Sequence, residues 1–407
     1  RDVDAVVHLG DYLYEYDRDG YASDRAEEFD RVSMPETELF TLSDYRTRYA
    51  QYRSDPDLQN CHGAHPFLAV WDDHEVANDA WRGGAENHDP DTEGDFEERR
   101  AAALQAYYEW LPVRPPADDL LVVYRQFRFG DLVDLLMLDT RLIGRDQQLA
   151  YADFSNGGTI DVDAVRAAAE DSSRQLLGEE QSAWLKDRLT SSTATWQVLG
   201  QQVLVGRYTL PSPIIEALDP SNLDEEALQE GVAAVLAAVA AKTTPEEERT
   251  QEQQALLDSA IPYNLDAWDG YGFAREDMLT HAASVNSRLV ALAGDTHNAW
   301  AAQLTNSAGE PVGIEFATAS VSSPGLEVAL GAEAAALFEG PIVTLIDDLR
   351  YANLSDRGWL EVTFTPEEVE ANWRFVSAVD STGYSLLEDR ARTIRAGAED
   401  FSLQVDQ

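Results

Sequence analysis

Trp71-Asp72-Asp73-His74-Glu75-Val76-Ala77-Asn78-Asp79-Ala80-Trp81 follows directly on the apolar run Pro66-Phe67-Leu68-Ala69-Val70. Four carboxylates and a histidine thus stand where a strand should be leaving a core. Carboxylates in that position lose hydration unless something positive compensates them, and a metal ion is the simplest such partner. Two further stretches share the construction: Val6-Val7-His8-Leu9-Gly10-Asp11 near the start, and Val290-Ala291-Leu292-Ala293-Gly294-Asp295-Thr296-His297 far downstream. Three strand-like runs therefore each deliver Asp or His at their carboxyl end.

Hard cations take oxygen ligands, while borderline and transition ions accept mixed oxygen and imidazole sets. Asp11, Asp73, Asp295 and His297 form such a mixed set. A shared Asp11 carboxylate could bridge two ions about 3.5–4 Å apart, the spacing of a hydrolytic two-metal clamp that generates hydroxide at mild pH. Tyr14 could reach the same ion through its phenolate; a packed loop aromatic is the alternative. His74 suits a hydrogen bond to a phosphoryl oxygen or proton delivery to a leaving group, with Glu75 orienting it. Asp139-Thr140-Arg141 ends another strand, and Arg141 either holds a substrate anion or clamps carboxylates. Trp268, Asp269 and Tyr271 either shape the entrance or pack as loop aromatics. Cys61, His62 and His65 form a weaker metal-like group.

The chain has 407 residues, enough for a large core. Its net charge is -45, from 75 acidic and 30 basic residues, and Lys186 and Lys242 are its lysines. Self-repulsion on that scale points to a high-salt setting, and no basic patch survives for stable binding of duplex nucleic acid. Cys61 is the single cysteine, which excludes an intrachain disulfide and a cysteine zinc site. No apolar segment is long enough to span a bilayer, and no signal peptide is visible. The first strand-like run starts almost at once, so an N-terminal part is expected to precede it.

In order, strands are expected over Val3–Leu9, Leu121–Phe127, Leu132–Leu138, Thr195–Gly200 and Arg288–Ala293. A helix capped by Ser43 carries Tyr45, Tyr49 and Tyr52; another starts near Asp95 and ends before Pro112; a third spans Gln181–Leu189 with Trp184 and Leu185 inward. Ala299–Leu304 and Val312–Ala317 suggest the second sheet of a layered α/β body. Arg357–Phe364 and Trp373–Val376 are late strands in alternation, expected to be antiparallel. The expected organisation is a core over 1–376, an acidic helical insertion over 213–256 and a peripheral segment over 377–407.

The stretches His8-Leu9-Gly10-Asp11-Tyr12-Leu13-Tyr14-Glu15-Tyr16, Trp71 to Asn78, Leu138-Asp139-Thr140-Arg141, Asp266-Ala267-Trp268-Asp269-Gly270-Tyr271 and Gly294-Asp295-Thr296-His297-Asn298 occur here in order. In these motifs the chain resembles the PhoD-like alkaline phosphatase family, from its first residue to about Phe375. The resemblance implies a calcineurin-like, four-layer αββα sandwich with two mixed β-sheets flanked by helices. It implies hydrolysis of small phosphate monoesters or diesters, with a phospholipase D-like variant acting on phospholipid, and a secreted, periplasmic or cell-surface setting. It further implies ferric iron and calcium as cofactors: Asp11 bridging, Tyr14 and His297 on the iron side, Asp73 and Asp295 on the calcium side, and His74 on the substrate. Family members also carry a cysteine ligand upstream of the Gly-Asp motif, behind an N-terminal β-sandwich domain and a twin-arginine signal. None of these falls in this sequence, so the metal centre is expected to be incomplete. A truncated, non-catalytic calcium-binding homologue is the competing class. Neither sequence nor resemblance specifies an oligomeric state.

Overall fold

The computed structural model describes residues 3–116, 118–218, 224–399 and 401–405. Its strands are β1 (Val6–His8), β2 (Phe67–Ala69), β3 (Arg125–Phe129), β4 (Val133–Met137), β5 (Ser155–Asn156), β6 (Thr159–Ile160), β7 (Trp196–Gly200), β8 (Thr209–Pro211) and β9 (Ala260–Pro262). There follow β10 (Leu289–Ala293), β11 (Ala299–Thr305), β12 (Pro311–Ala317), β13 (Leu349–Asn353), β14 (Arg357–Phe364), β15 (Glu368–Val376), β16 (Arg392–Gly397) and β17 (Leu403–Val405).

A seven-stranded mixed sheet in the order β13-β11-β12-β10-β7-β4-β3 organises the chain. Its centre is parallel: β4 pairs with β7, β7 with β10, and β10 with β12. Each of β4, β7 and β10 is buried along its whole length. Strands covered on both faces read as continuous apolar runs, which is why these three were visible in the sequence. One face, through Leu135, Met137, Val198, Val290 and Phe316, shares a core with Ala69 and Val70 and with Trp373, Phe375 and Ile394. The other face, through Leu136, Leu199, Leu289 and Ala291, shares a core with Leu185, Leu189, Met278 and Leu279. Those four residues lie on the helices Gly178–Ser191 and Gly272–Ser284.

Several expectations change. Strands β11 and β12 do not begin a second sheet; they extend the same sheet as β10, because β12 pairs parallel with β10 and β11 turns back antiparallel on β12. In place of a second mixed sheet stand the parallel pair β1-β2 and an antiparallel sheet β14-β15-β16-β17. Strands β16 and β17 come from the segment expected to be peripheral, and Ile394 and Ala396 are buried there. The 213–256 region contributes the helices Ser212–Ala217, Glu225–Thr243 and Gln251–Asp258. Val235, Ala238 and Ala241 of the longest are buried in the body; residues 219–223 lie outside the described residues.

The helix Leu42–Tyr52 is capped by Thr41, not Ser43, in a reciprocal box with Asp44. Helix Phe96–Trp110 begins at its Asp95 cap as expected. It packs Tyr107 into the cluster that holds Tyr45, Tyr49 and Trp71. Leu185 points inward as expected, while Trp184 is only half-buried.

Candidate active site

Strands β1 and β2 run parallel in register, Val6 beside Phe67 and His8 beside Ala69. Their carboxyl ends therefore release Gly10-Asp11 and Asp72-Asp73 side by side. Gly10 has φ +118°, and a Cβ there would meet the Asp72 Cβ at 2.2 Å and its amide nitrogen at 2.4 Å. Only glycine lets the two turns approach this closely. Glu75 then ties them together, accepting from the amides of Asp11 (3.1 Å), Tyr12 (2.5 Å) and Asp72 (2.7 Å). The third turn comes from β10, where Gly294 donates its amide to Gln202 at 2.7 Å.

The backbone at these turns is unusual. Asp11, Asp295 and His297 adopt φ values of 55°, 61° and 56°, as does Asp79 at 53°. Such conformations cost free energy in residues with a Cβ and collect at functional sites.

Asp11, Tyr14 and His297 meet at one point. The Tyr14 hydroxyl is 3.0 Å from Asp11 Oδ2 and 3.0 Å from His297 Nε2, and His297 Nε2 is 3.1 Å from Asp11 Oδ2. Donor atoms of Asp11, Asp73 and His74 lie within 4.8 Å of one another, and so do those of Asp72, Asp73 and Asp295. Asp73 is thus common to two groups that could each hold an ion. Asp11, Tyr14, Asp73, His74, Asp295 and His297 converge from three strand ends far apart in sequence. Asp11 Oδ1 is buried without a hydrogen-bond partner among the described residues. An orphaned carboxylate oxygen within a mixed carboxylate, phenol and imidazole set is what a bound cation would satisfy, so the residues fit a metal.

Arg141 is completely buried, and its guanidinium reaches Asp72 at 2.5 Å, Asp295 at 2.5 Å, Asp266 at 2.8 Å and Asp73 at 3.6 Å. Arg145 adds a second guanidinium on Asp266, and two cations against this many acids still leave the site over-charged. Burial pushes Asp295 up to about 7, with Arg141 opposing and Asp266 and Asp73 adding to the rise. Burial also pushes Asp79 up to about 7 and Glu75 up to about 8, and lifts Asp72 well above the usual carboxylate range. Asp73 goes the other way: burial opposes its ionisation, but Arg141, His74 and the Asp79 amide hold it down to about 2. Burial raises the Tyr14 phenol well above its ordinary value, and Asp11 adds to the effect. For His74, burial disfavours the charged ring, yet Asp73, Asp11 and Glu15 raise its pKa well above the ordinary value.

Five residues weighed for the site take structural places instead. Glu75 does not orient His74. Glu15 touches it instead, with Oε2 2.7 Å from His74 Nδ1, because the Glu75 carboxylate is already filled by backbone amides. Trp268 and Tyr271 do not line an entrance; both are completely buried, Trp268 Nε1 donating to Gln201 and the Tyr271 hydroxyl to the Asp146 carbonyl. Asp269 is buried too and receives the Tyr208 amide at 2.6 Å. His62 stacks on Phe67 with ring centroids 3.6 Å apart and bonds the Tyr12 hydroxyl at 2.9 Å. Glu15 and Asp266 were missed in the sequence. Asp266 sits two residues before Trp268 in a stretch singled out for its aromatics, and that proximity was the available signal.

Fold and site together define a mixed α/β protein with an acidic, cation-fitting centre at the carboxyl ends of its strands. The chain belongs to the PhoD-like phosphatase family, whose model matches residues 1–373. It is 32% identical over 400 residues to alkaline phosphatase D of Bacillus subtilis (strain 168), covering 94% of this chain and 56% of that protein. The chain thus spans about half the length of this curated relative. A solved structure of PhoD is similar with a TM-score of 0.73 and 28% identity, covering 100% of this chain and 67% of that one.

Proposed function

We propose that the chain hydrolyses phosphate esters at this centre in a metal-dependent reaction. The observation that carries the proposal is the meeting of Asp11, Tyr14, Asp73, His74, Asp295 and His297 in one cluster, buried at Asp73 and His74 and half-buried at the others, with an unsatisfied Asp11 oxygen. Dispersed single-ion loops, the mark of a non-catalytic calcium binder, would not converge in this way.

In this proposal Asp11, Tyr14 and His297 hold one cation and Asp73 and Asp295 the other, with Asp72 beside them. The family resemblance favours ferric iron and calcium. Cations bound there would neutralise charge on the phosphoryl group and lower the pKa of water. His74 faces the ester and supplies a proton or hydrogen bond. The full commitment of the Arg141 fork to carboxylates supports a clamp role for it over direct substrate binding. The name of the Bacillus relative, alkaline phosphatase D, supports monoesters; of Trp81, Trp268 and Tyr271, the aromatics whose apolar rim would favour a diester or phospholipid head group, the last two are buried and Trp81 is half-buried.

We further read the packing on both faces of the large sheet as the four-layer arrangement, 213–256 as an elaboration of the core, and the setting as extracytoplasmic. Among the described residues no helix is long and apolar enough to cross a membrane. The test is turnover of 4-nitrophenyl phosphate and bis(4-nitrophenyl) phosphate before chelation, after it, and after iron and calcium are restored. Chelation should abolish hydrolysis and the cations restore it; hydrolysis indifferent to chelation refutes the proposal.

A further inference from the structure

We propose that Glu15 is the positioning residue for His74, fixing the imidazole so that its Nε2–H is presented to the leaving oxygen of the ester; the proposal rests on the phosphoesterase reading above. Glu15 is completely buried. Its Oε2 lies 2.7 Å from His74 Nδ1, while its Oε1 accepts from the Asn78 amide at 2.7 Å and from Asn87 Nδ2 at 2.8 Å. With both oxygens bound, the carboxylate cannot turn away from the ring. An ionised carboxylate only accepts, so the His74 nitrogen facing it must carry the hydrogen.

The ring is also held from its sides, with the Tyr14 ring centroid 4.3 Å away and that of Tyr16 5.5 Å away. Its other nitrogen, Nε2, has no hydrogen-bond partner among the described residues, and a His74 nitrogen lies within 4.8 Å of donor oxygens of Asp11 and Asp73. A carboxylate behind an imidazole fixes its tautomer and direction, and the free nitrogen does the chemistry. In hydrolysis the bond from phosphorus to the leaving oxygen breaks while one to the oxygen of water forms. The ring reacts with hydrogen on both nitrogens, the form that the Glu15 carboxylate beside Nδ1 favours: its Nε2 proton passes to the leaving oxygen, its Nδ1 hydrogen stays in the bond to Glu15, and the proton released by water returns to Nε2.

The test uses Glu15→Gln with two readouts. A glutamine can keep the bonds from Asn78 and Asn87 on its oxygen, but it turns an amide donor toward Nδ1. In histidine-15N-labelled protein, chelated and then loaded with calcium alone, the wild type should show a proton on His74 Nδ1, assigned by its absence in His74→Asn. Glu15→Gln should lose that signal. In the iron- and calcium-loaded protein, the variant should slow an alkyl phosphate by about 100-fold and 4-nitrophenyl phosphate by less than about threefold, because the better leaving group needs little proton delivery. Glu15→Asp, which keeps a carboxylate, should recover part of the alkyl phosphate rate.

A wild-type His74 without a proton on Nδ1 overturns the proposal even where the variants fail to fold. Equal slowing of both esters overturns it as well and leaves Glu15 a purely structural role. A wild-type protein that hydrolyses neither ester sinks the phosphoesterase reading and the leaving-group step with it, while the Nδ1 signal still reports separately whether the pair forms.

Discussion

Replacing Arg141 by methionine keeps much of the side-chain volume and removes the guanidinium that reaches Asp72, Asp73 and Asp295 and shares Asp266 with Arg145. Removing one partner of a buried ion pair costs about 3–5 kcal/mol, because the other charge is left uncompensated. Here several carboxylates lose the same partner, but the costs do not add. Asp295 already titrates at about 7 with Arg141 present, and without it the acids take up protons instead of remaining charged together. We therefore expect Arg141→Met to lose about 3–5 kcal/mol in chelator at pH 8, by the same rule. The loss should shrink at pH 5, where protonation neutralises the acids, and when cations are supplied. Urea unfolding at fixed ionic strength, with and without chelator, reads this directly. A loss below about 1 kcal/mol in chelator at pH 8, far under the buried-pair value, would refute the reasoning. So would equal losses at pH 5 and pH 8.

The cation-free protein should become less stable as pH rises through about 7 to 8, since the folded state holds Asp295 and Asp79 up to about 7 and Glu75 up to about 8. Folded protein then binds more protons than unfolded protein above the ordinary carboxylate range, so stability is fullest below that range and falls with rising pH; a chelated Tm that rises between pH 5 and pH 8 contradicts this. Gly10→Ala should lose at least about 3 kcal/mol and retain no cation, because a Cβ at φ +118° would lie 2.2 Å from the Asp72 Cβ; calorimetry and metal analysis check it. His62→Ala should cost about 1–2 kcal/mol through the lost Phe67 stack and Tyr12 hydrogen bond, with cation content unchanged. A drop in bound metal would show instead that His62 is a ligand.

The three strand ends were legible because the change from Val70 to Asp72-Asp73, or from Ala293 to Asp295, is abrupt within a few residues. Burial on both faces made β4, β7 and β10 visible in the same way. Sheet membership was not legible: β11 and β12 carry the same apolar composition whether they extend the β10 sheet or begin another, and only pairing register decides between the two. Tyr14, Asp11 and His297 could be chosen as a set, yet their contact spans 283 residues between Tyr14 and His297, and no local pattern encodes such a distance. The partner of His74 was misread because Glu75 is its chain neighbour. In space Glu75 turns back to the Asp11 and Asp72 amides, and Glu15 arrives from the tyrosine loop. Trp268 and Tyr271 show the same limit, since an acidic, aromatic stretch reads alike whether it rims a cleft or fills a core.

The central claim is that Asp11, Tyr14, Asp73, Asp295 and His297 together hold the cations that the chemistry requires. Metal content per chain after exhaustive dialysis, measured for the wild type, Asp11→Asn and His297→Ala alongside hydrolysis of 4-nitrophenyl phosphate, tests it most directly. We predict bound metal and turnover in the wild type, and loss of both in the two variants while each remains folded. Retention of metal and of turnover in both variants would contradict the account.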